Sequence, residues 1–549
     1  MRTAPAASPV VRRLLQAIAA ALALCLATPA AAQDASLVAA PAGEVRGAAV
    51  DGVHVFRGIP YARPPVGDLR WRPPASLQPW SGVREATAFG AACPQPASPF
   101  ADHATVSEDC LFLNVWAPDQ ARKAPVLVWI HGGSLVSGAA SEAIYDGAGF
   151  ARRDVVLVSI NYRLGALGWL AHPGLSAESP DNISGNYGLM DQIEALRWVR
   201  RNISAFGGDP DNVTIAGESA GALSVLYLMA APEARGLFHR AIAQSGYMIT
   251  QPELRNGSWA DWPDAETLGV SLAGALGAAD PAALRAMSAE AIVEGTARTA
   301  WFPLGNVDGR LLPRQLVETF DRGEQAPVPV LAGYNEGEIR SLRFLLPPAP
   351  ATAAIYADEI RARYGDLADA FLARYPAETM SASMLATTRD AMYGWTSERL
   401  AAKQTALGAP VFLYYFDHGY PAADEGGFRA FHASEIPFVF GTTDATPSWW
   451  PPVPRTAPER RLSDAMTSYW TTFARNGAPR AAGEAAWRPY GEDRAYMAFE
   501  AAPRLRTGPP NGYALHEAVV CRRARHGLAW HWNVGVIAPP LPPPSPGCA

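Results

Sequence analysis

Several separated stretches carry residue types that could do hydrolytic chemistry together. The first is Gly217-Glu218-Ser219-Ala220-Gly221. It follows a short apolar run, residues 213–216, and precedes a helix-like stretch, residues 222–229, that ends before Pro232. This spacing predicts strand, sharp turn and helix. So tight a turn leaves no room for bulk two residues before or after the serine, and glycine supplies the space. The Ser219 hydroxyl is then held over the sheet edge, beside the free N–H groups of the helix start. Taken alone, the motif reads better as a glycine-rich turn with a surface serine. A serine nucleophile also needs a base, a group that orients the base, and donors for an oxyanion.

Candidates for all three are present. His131-Gly132-Gly133-Ser134 follows an apolar run at 125–130, and a Gly-rich bend there can aim backbone N–H groups at an oxyanion. Of the ten histidines, His432 stands out, in a loop entering the aromatic run that ends at Gly441. His418, between Asp417 and Gly419, is the rival base. The acid should follow a strand between serine and histidine, where Val330-Leu-Ala-Gly-Tyr-Asn-Glu-Gly-Glu338 fits. The chain order Ser219, Glu338, His432 is that of an α/β-hydrolase. Glu218 reads as a residue that tunes the site's electrostatics or holds a water, and Glu435 as a structural hydrogen-bonding group. With an unperturbed histidine as base, activity should rise through about pH 6–7.

These residues need a scaffold. Apolar runs at 125–130, 155–160 and 213–216 read as buried strands. Residues 189–206, with Met190, Ile193, Leu196, Val199 and Ile203 at helical spacing, read as a helix. Such alternation predicts an α/β chain with a mainly parallel sheet covered on both faces. Further strands are expected at 240–244, 328–332 and 411–416. An Ala-rich helix is expected at 280–299, after a loop with Trp259 and Trp262.

The chain has 549 residues, 49% of them hydrophobic, enough for a large core. A net charge of −6 without a basic run argues against a nucleic-acid partner. Arg2, Arg12 and Arg13, an apolar run at 14–27 and Ala30-Ala31-Ala32 read as a signal peptide over residues 1–32. That run is too short for a bilayer, so no stable membrane insertion is expected. A single domain at 33–538 and a Pro-rich tail at 539–549 complete the organisation. An exported chain, periplasmic or secreted, would pair its remaining cysteines, Cys93, Cys110, Cys521 and Cys548, in two disulfides. No CxxC or His-rich spacing suggests a metal.

At greater length the chain resembles a type B carboxylesterase, the group that holds para-nitrobenzyl esterases, animal carboxylesterases and cholinesterases. The resemblance runs from about Gly43 to Phe499. It is carried by Phe56-Arg-Gly-Ile-Pro-Tyr-Ala62, Glu108-Asp-Cys-Leu-Phe-Leu-Asn-Val-Trp116, Asn161-Tyr-Arg-Leu-Gly165 and the serine segment. Asn306-Val-Asp-Gly309 and Tyr469-Trp-Thr-Thr-Phe-Ala-Arg475 continue it. It implies an α/β-hydrolase fold, no cofactor, a small-molecule ester substrate and two-step hydrolysis through an acyl-enzyme. In that scheme Ser219 is the nucleophile, His432 the base and then the acid, and Glu338 the buried orienter. The oxyanion donors would be the N–H groups of Gly133, Ser134 and Ala220.

The family spacing G-x-N-x-x-E, met by Gly333, Asn335 and Glu338, prefers Glu338 over Glu336 as the acid. Trp301 and Phe302 lie where the family places acyl-pocket walls, although either could be ordinary core. Trp449 and Trp450 read as a substrate-facing rim or as packing. The family joins Cys93 to Cys110, which leaves Cys521 with Cys548. Between Cys93 and Cys110 the only aromatic residue is Phe100, so the cation–π site of cholinesterases is not expected there. Two positions depart from the family pattern: Ser134 replaces a third glycine, and Gly337-Glu338-Ile339 replaces Asp-Glu-Gly. Some relatives are adhesion proteins without a complete triad. The three filled positions here favour an enzyme.

Overall fold

Side-chain alternation within the strands sets the architecture. Val126, Val128 and Ile130 join one apolar core, while Leu127 and Trp129 join a second core on the opposite side of the sheet. Val411 and Leu413 likewise alternate with Phe412 and Tyr414. A strand with a two-residue period that is apolar on both faces must lie inside the protein, with a layer on each side.

The computed structural model describes residues 36–97, 105–257, 259 and 262–548. The leader at 1–32 and Phe100 lie outside them. The main sheet contains β1 (Ala48–Val50), β2 (Val53–Pro60), β3 (Phe112–Pro118), β4 (Ala124–Ile130), β5 (Val156–Ile160), β6 (Gly208–Glu218), β7 (Arg240–Gln244), β8 (Val330–Asn335), β9 (Val411–Phe416), β10 (Ala495–Phe499) and β11 (Pro503–Thr507). Their spatial order is β11-β10-β9-β8-β7-β6-β4-β5-β3-β2-β1. From β5 to β10 the neighbours pair in parallel, and the flanking pairs are antiparallel. A small separate sheet joins Leu37–Ala40, Gly43–Arg46 and Val83–Glu85.

One face is covered by helices α1 (Tyr187–Asn202) and α2 (Ala220–Ala230), which contribute Leu189, Ile193, Leu196 and Val199, and Leu223 and Leu226. The other carries α3 (Ala457–Asn476), with Leu462, Met466, Trp470 and Phe473. Thr456 caps α3 by accepting the Glu459 N–H, and Gly477, at φ 76°, ends it. Two ion pairs tie distant segments together. Arg163 grips Asp191 through two hydrogen bonds of 2.7 and 2.8 Å, and Arg70 grips Glu108 through two of 2.6 and 2.7 Å. Removing one partner of the fully buried Arg163–Asp191 pair would cost about 3–5 kcal/mol.

The stretch expected as one helix at 280–299 is instead two, Pro281–Ala286 and Ala289–Ala297. Ser288 accepts the Ala291 N–H as a cap and starts the second helix afresh. Cysteine pairing joins Cys93 to Cys110 and Cys521 to Cys548. Residues 539–548 form neither helix nor strand, yet the second disulfide and the Leu541 N–H bond to the Arg363 carbonyl hold them down. No helix among the described residues is long and apolar enough to cross a membrane.

Candidate active site

Five adjacent parallel strands, β9-β8-β7-β6-β4, end at one edge, and Gly133, Ser219 and Glu338 lie just beyond the carboxyl ends of β4, β6 and β8. That is the side on which open α/β sheets bind ligands. Ser219 follows β6 directly and adopts φ 56°, ψ −122°, an unfavourable backbone for a residue with a Cβ. Such a conformation costs on the order of 1–3 kcal/mol. The Ser219 N–H bond to the Gln244 carbonyl, at 2.9 Å, holds it there. Close approach explains the glycine: a Cβ on Gly221 would lie 2.0 Å from the Ile130 carbonyl oxygen. Ala220 opens α2, so its N–H has no acceptor within the helix.

After β4, Gly133, Ser134 and Leu135 all have positive φ, at 95°, 58° and 60°. The departure at Ser134 therefore occupies a left-handed position that glycine would take without strain. The bend is closed by the N–H groups of Val136 and Ser137, both donating to the Gly133 carbonyl. Tyr162 supports it from below. Its hydroxyl donates to the His131 carbonyl at 2.8 Å and its ring stacks on His131.

His432 and Glu338 meet through loops that leave neighbouring strands. His432 Nδ1 lies 2.5 Å from Glu338 Oε2. The other oxygen, Oε1, accepts from Ser245 Oγ at 2.6 Å and from the Asn335 N–H at 2.8 Å. Glu338 is fully buried. Backbone bonds lock the two loops: Gly337 N–H donates to the Ala430 carbonyl, and Asn335 Nδ2 to the Phe431 carbonyl. Glu435, also fully buried, accepts from Gln244 Nε2 at 2.9 Å and Asn335 Nδ2 at 2.6 Å. It braces the strand ends without reaching the imidazole by any of these bonds.

The opposite ring nitrogen faces the elbow. His432 Nε2 lies 3.1 Å from Glu218 Oε1, the residue beside Ser219. Burial pushes the Glu218 carboxyl well above the usual carboxylate range, against the opposing pull of His432. Burial alone would lower the imidazole, but the Glu218 and Glu338 carboxylates on its two sides outweigh it, and the pKa of His432 is raised. The value of pH 6–7 read from an unperturbed histidine is therefore too low for this environment.

The remaining candidates lie elsewhere. His418 pairs with Glu459 at 2.7 Å, against the edges of Phe416 and Phe438. Glu336, two residues from Glu338, lies among Arg340, Arg389 and Arg429. Trp301 and Phe302 line a cavity of about 100 Å³ with Trp169, Trp262 and Leu304, and none of Ser219, Glu338 and His432 lines it. Trp450 packs edge-on against Phe431, beside the histidine, while Trp449 is half-exposed.

Three aromatic residues and one serine near the site were not singled out by sequence. Tyr393 lies with its ring 5.4 Å from His432, and Tyr247 and Trp532 pack on Tyr393. Ser245 follows β7 at the same sheet edge as Ser219. Its position after a strand, before Gly246, is the one local signal that could have drawn attention to it.

A parallel-sheet core, a strained serine between strand and helix, and a buried Glu–His pair beside it define an α/β-hydrolase. The profile of the carboxylesterase family matches residues 34–512, and the chain belongs to that family. It is a carboxylic ester hydrolase. It is 35% identical over 513 residues to a fumonisin B1 esterase of Sphingopyxis macrogoltabida, covering 91% of this chain and 92% of that protein. A para-nitrobenzyl esterase of Bacillus subtilis is 36% identical over 454 residues, covering 80% of this chain and 89% of its own. The solved structure of a Geobacillus stearothermophilus carboxylesterase superposes with a TM-score of 0.70 at 34% identity, covering 86% of this chain and 98% of that one.

Proposed function

We propose that the protein hydrolyses small to medium carboxylic esters through an acyl-enzyme, with Ser219, His432 and Glu338 as its triad. As Ser219 Oγ attacks the ester carbonyl carbon, His432 Nε2 takes its proton. The oxyanion that forms accepts hydrogen bonds from the N–H groups of Gly133, Ser134 and Ala220. His432 then returns the proton to the departing alcohol oxygen, and water repeats the sequence on the acyl-serine. Glu338 holds the Nδ1–H and stabilises the imidazolium. No step calls for a cofactor.

The observation that carries this reading is the 2.5 Å contact between His432 Nδ1 and Glu338 Oε2, with the opposite ring edge turned toward the elbow that presents Ser219. The test is covalent labelling. An aryl phosphonate should add once, to the peptide containing Ser219, and block ester hydrolysis in proportion. An adduct on any other residue would refute the serine assignment. The names of the relatives carry esters as different as fumonisin B1 and para-nitrobenzyl esters, so the reaction class transfers here and neither substrate does.

The basic and apolar leader and the two disulfides support export, with Gln33 as the first residue of a mature single-domain enzyme. N-terminal sequencing of protein recovered from outside the cytoplasm checks this. An uncut chain retained with the cytosol would overturn it.

A further inference from the structure

Residues beyond 512, where the family match ends, form a strap across the site's edge rather than a free tail. Helix α4 (Tyr513–Arg525) leads into it, and the Cys521–Cys548 disulfide closes it. Inside the strap Trp530 is pinned by two bonds to Thr250: its carbonyl accepts the Thr250 N–H and its N–H donates to Thr250 Oγ1, each at 2.8 Å. Further on, Gly535 N–H donates to the Tyr364 hydroxyl and the Ala538 carbonyl accepts from Arg363. The intervening His531 and Trp532 are thus held in place, and both remain partly exposed.

Their positions link two parts of the molecule. The Trp532 ring centre is 5.9 Å from that of Tyr393 and 5.6 Å from that of Tyr247, both of them buried. Tyr393 in turn lies against His432, presented by a turn of π-helix at Asp390–Gly394. π-helical turns are rare and recur at functional sites. On the other side, the His531 ring is 5.4 Å from Trp262, which lines the apolar cavity with Trp169, Trp301 and Phe302. A continuous aromatic series therefore runs from the imidazole through Tyr393 to Trp532, and the next residue back in the chain, His531, meets the cavity's Trp262. A partly exposed indole fixed at the end of such a series is placed to offer apolar surface to a bound ester.

We propose that Trp532 is a specificity-determining residue, forming a wall that selects esters carrying a large apolar group. This rests on the serine-esterase reading above. It assigns a role in substrate choice to the disulfide-closed strap, which the family match does not include.

The test is a matched panel of nitrophenyl esters from acetate to decanoate, with alkyl and arylalkyl acetates as the alcohol-side series. In Trp532→Ala, kcat/KM for the largest esters of at least one series should fall about tenfold more than for the smallest. The loss should appear mainly in KM, and Trp532→Phe should restore most of it. A Cys521→Ser, Cys548→Ser variant, which frees the strap, should shift preference in the same direction. An unchanged preference, or equal loss across both series, overturns the proposal. If Trp532→Ala does not fold, Trp532→Leu is read in its place, with the same size-dependent loss expected; no size-dependent change there also overturns it. Phosphonate titration separates the two readings. Labelling at Ser219 with flat panels defeats the wall alone, whereas no labelling at Ser219 defeats the serine reading.

Discussion

Two buried carboxylates flank the same imidazole, and their surroundings differ. Glu338, on the turn after β8, receives a contact from His432 Nδ1 and hydrogen bonds from Ser245 Oγ and the Asn335 N–H. Glu218, at the end of β6, faces His432 Nε2 at 3.1 Å, and its Oε1 is buried without a hydrogen bond. Burial is nearly the same, at 0% and 3% exposure, so burial does not distinguish them. Donors do. A carboxylate that accepts from a hydroxyl and a backbone N–H is fixed in position and can orient a base. Glu218 Oε1 has no such donor, and burial pushes its carboxyl toward the neutral form while His432 pulls the other way. Two glutamates at one histidine can thus serve different purposes, orientation on one side and tuning of proton affinity on the other.

The largest effect is expected at Ser219, the proposed nucleophile. Ser219→Ala should lower kcat for a short-chain nitrophenyl ester by at least ~1,000-fold. A variant retaining more than about a tenth of the activity would remove the premise of the comparison.

Next comes the satisfied carboxylate. Glu338→Gln keeps the shape but substitutes an amide for an acceptor oxygen opposite Nδ1. The loss in kcat should be on the order of 10²–10⁴, with the circular dichroism of the fold unchanged.

Glu218→Gln sharpens the contrast through pH rather than through rate alone. In the proposed mechanism neutral His432 is the active form, so activity should be lost as pH falls through its pKa. In the wild type that pKa is held up by Glu218 and Glu338, and the acid limb of kcat/KM should lie above the ordinary histidine value of about 6.5. Removing the Glu218 charge removes one of the forces holding the proton on. The limb should then move down by about one pH unit. A limb that stays in place or moves up would mean that Glu218 does not act on the ring.

The smallest effect is expected at Glu336, whose carboxylate lies among arginines rather than beside the imidazole. Glu336→Gln should change kcat by less than about threefold, well inside the range expected away from a catalytic partner. If steady-state kinetics instead found Glu336→Gln crippled and Glu338→Gln near wild type, the assignment of the two carboxylates would be reversed.

Much of this protein is decided locally and is therefore legible in the chain. The elbow needs small residues within five positions, because a Cβ on Gly217 would lie 2.5 Å from the Gly221 backbone as soon as the turn forms. The strands at 240–244 and 411–416 are built on the apolar stretches 241–243 and 411–416, and their expected bounds coincide with β7 and β9. The single helix expected at 280–299 is two, because alanine-rich composition conceals a serine that caps better than it propagates.

What tertiary structure alone decided is the set of contacts between residues far apart in sequence. Glu338 meets His432 across 94 positions and Ser245 across 93, and no local pattern marks Ser245 as a carboxylate's partner. The same holds for the approach of Glu218 to the far side of the ring, which depends on where the 417–432 loop returns. It holds too for the strap that brings Trp532 to Tyr393, since a tryptophan's surroundings are set by the packing of three separate segments. Local sterics and periodicity are written in neighbouring residues. The field around His432 and the aromatic wall beside it arise only when the sheet edge gathers its loops.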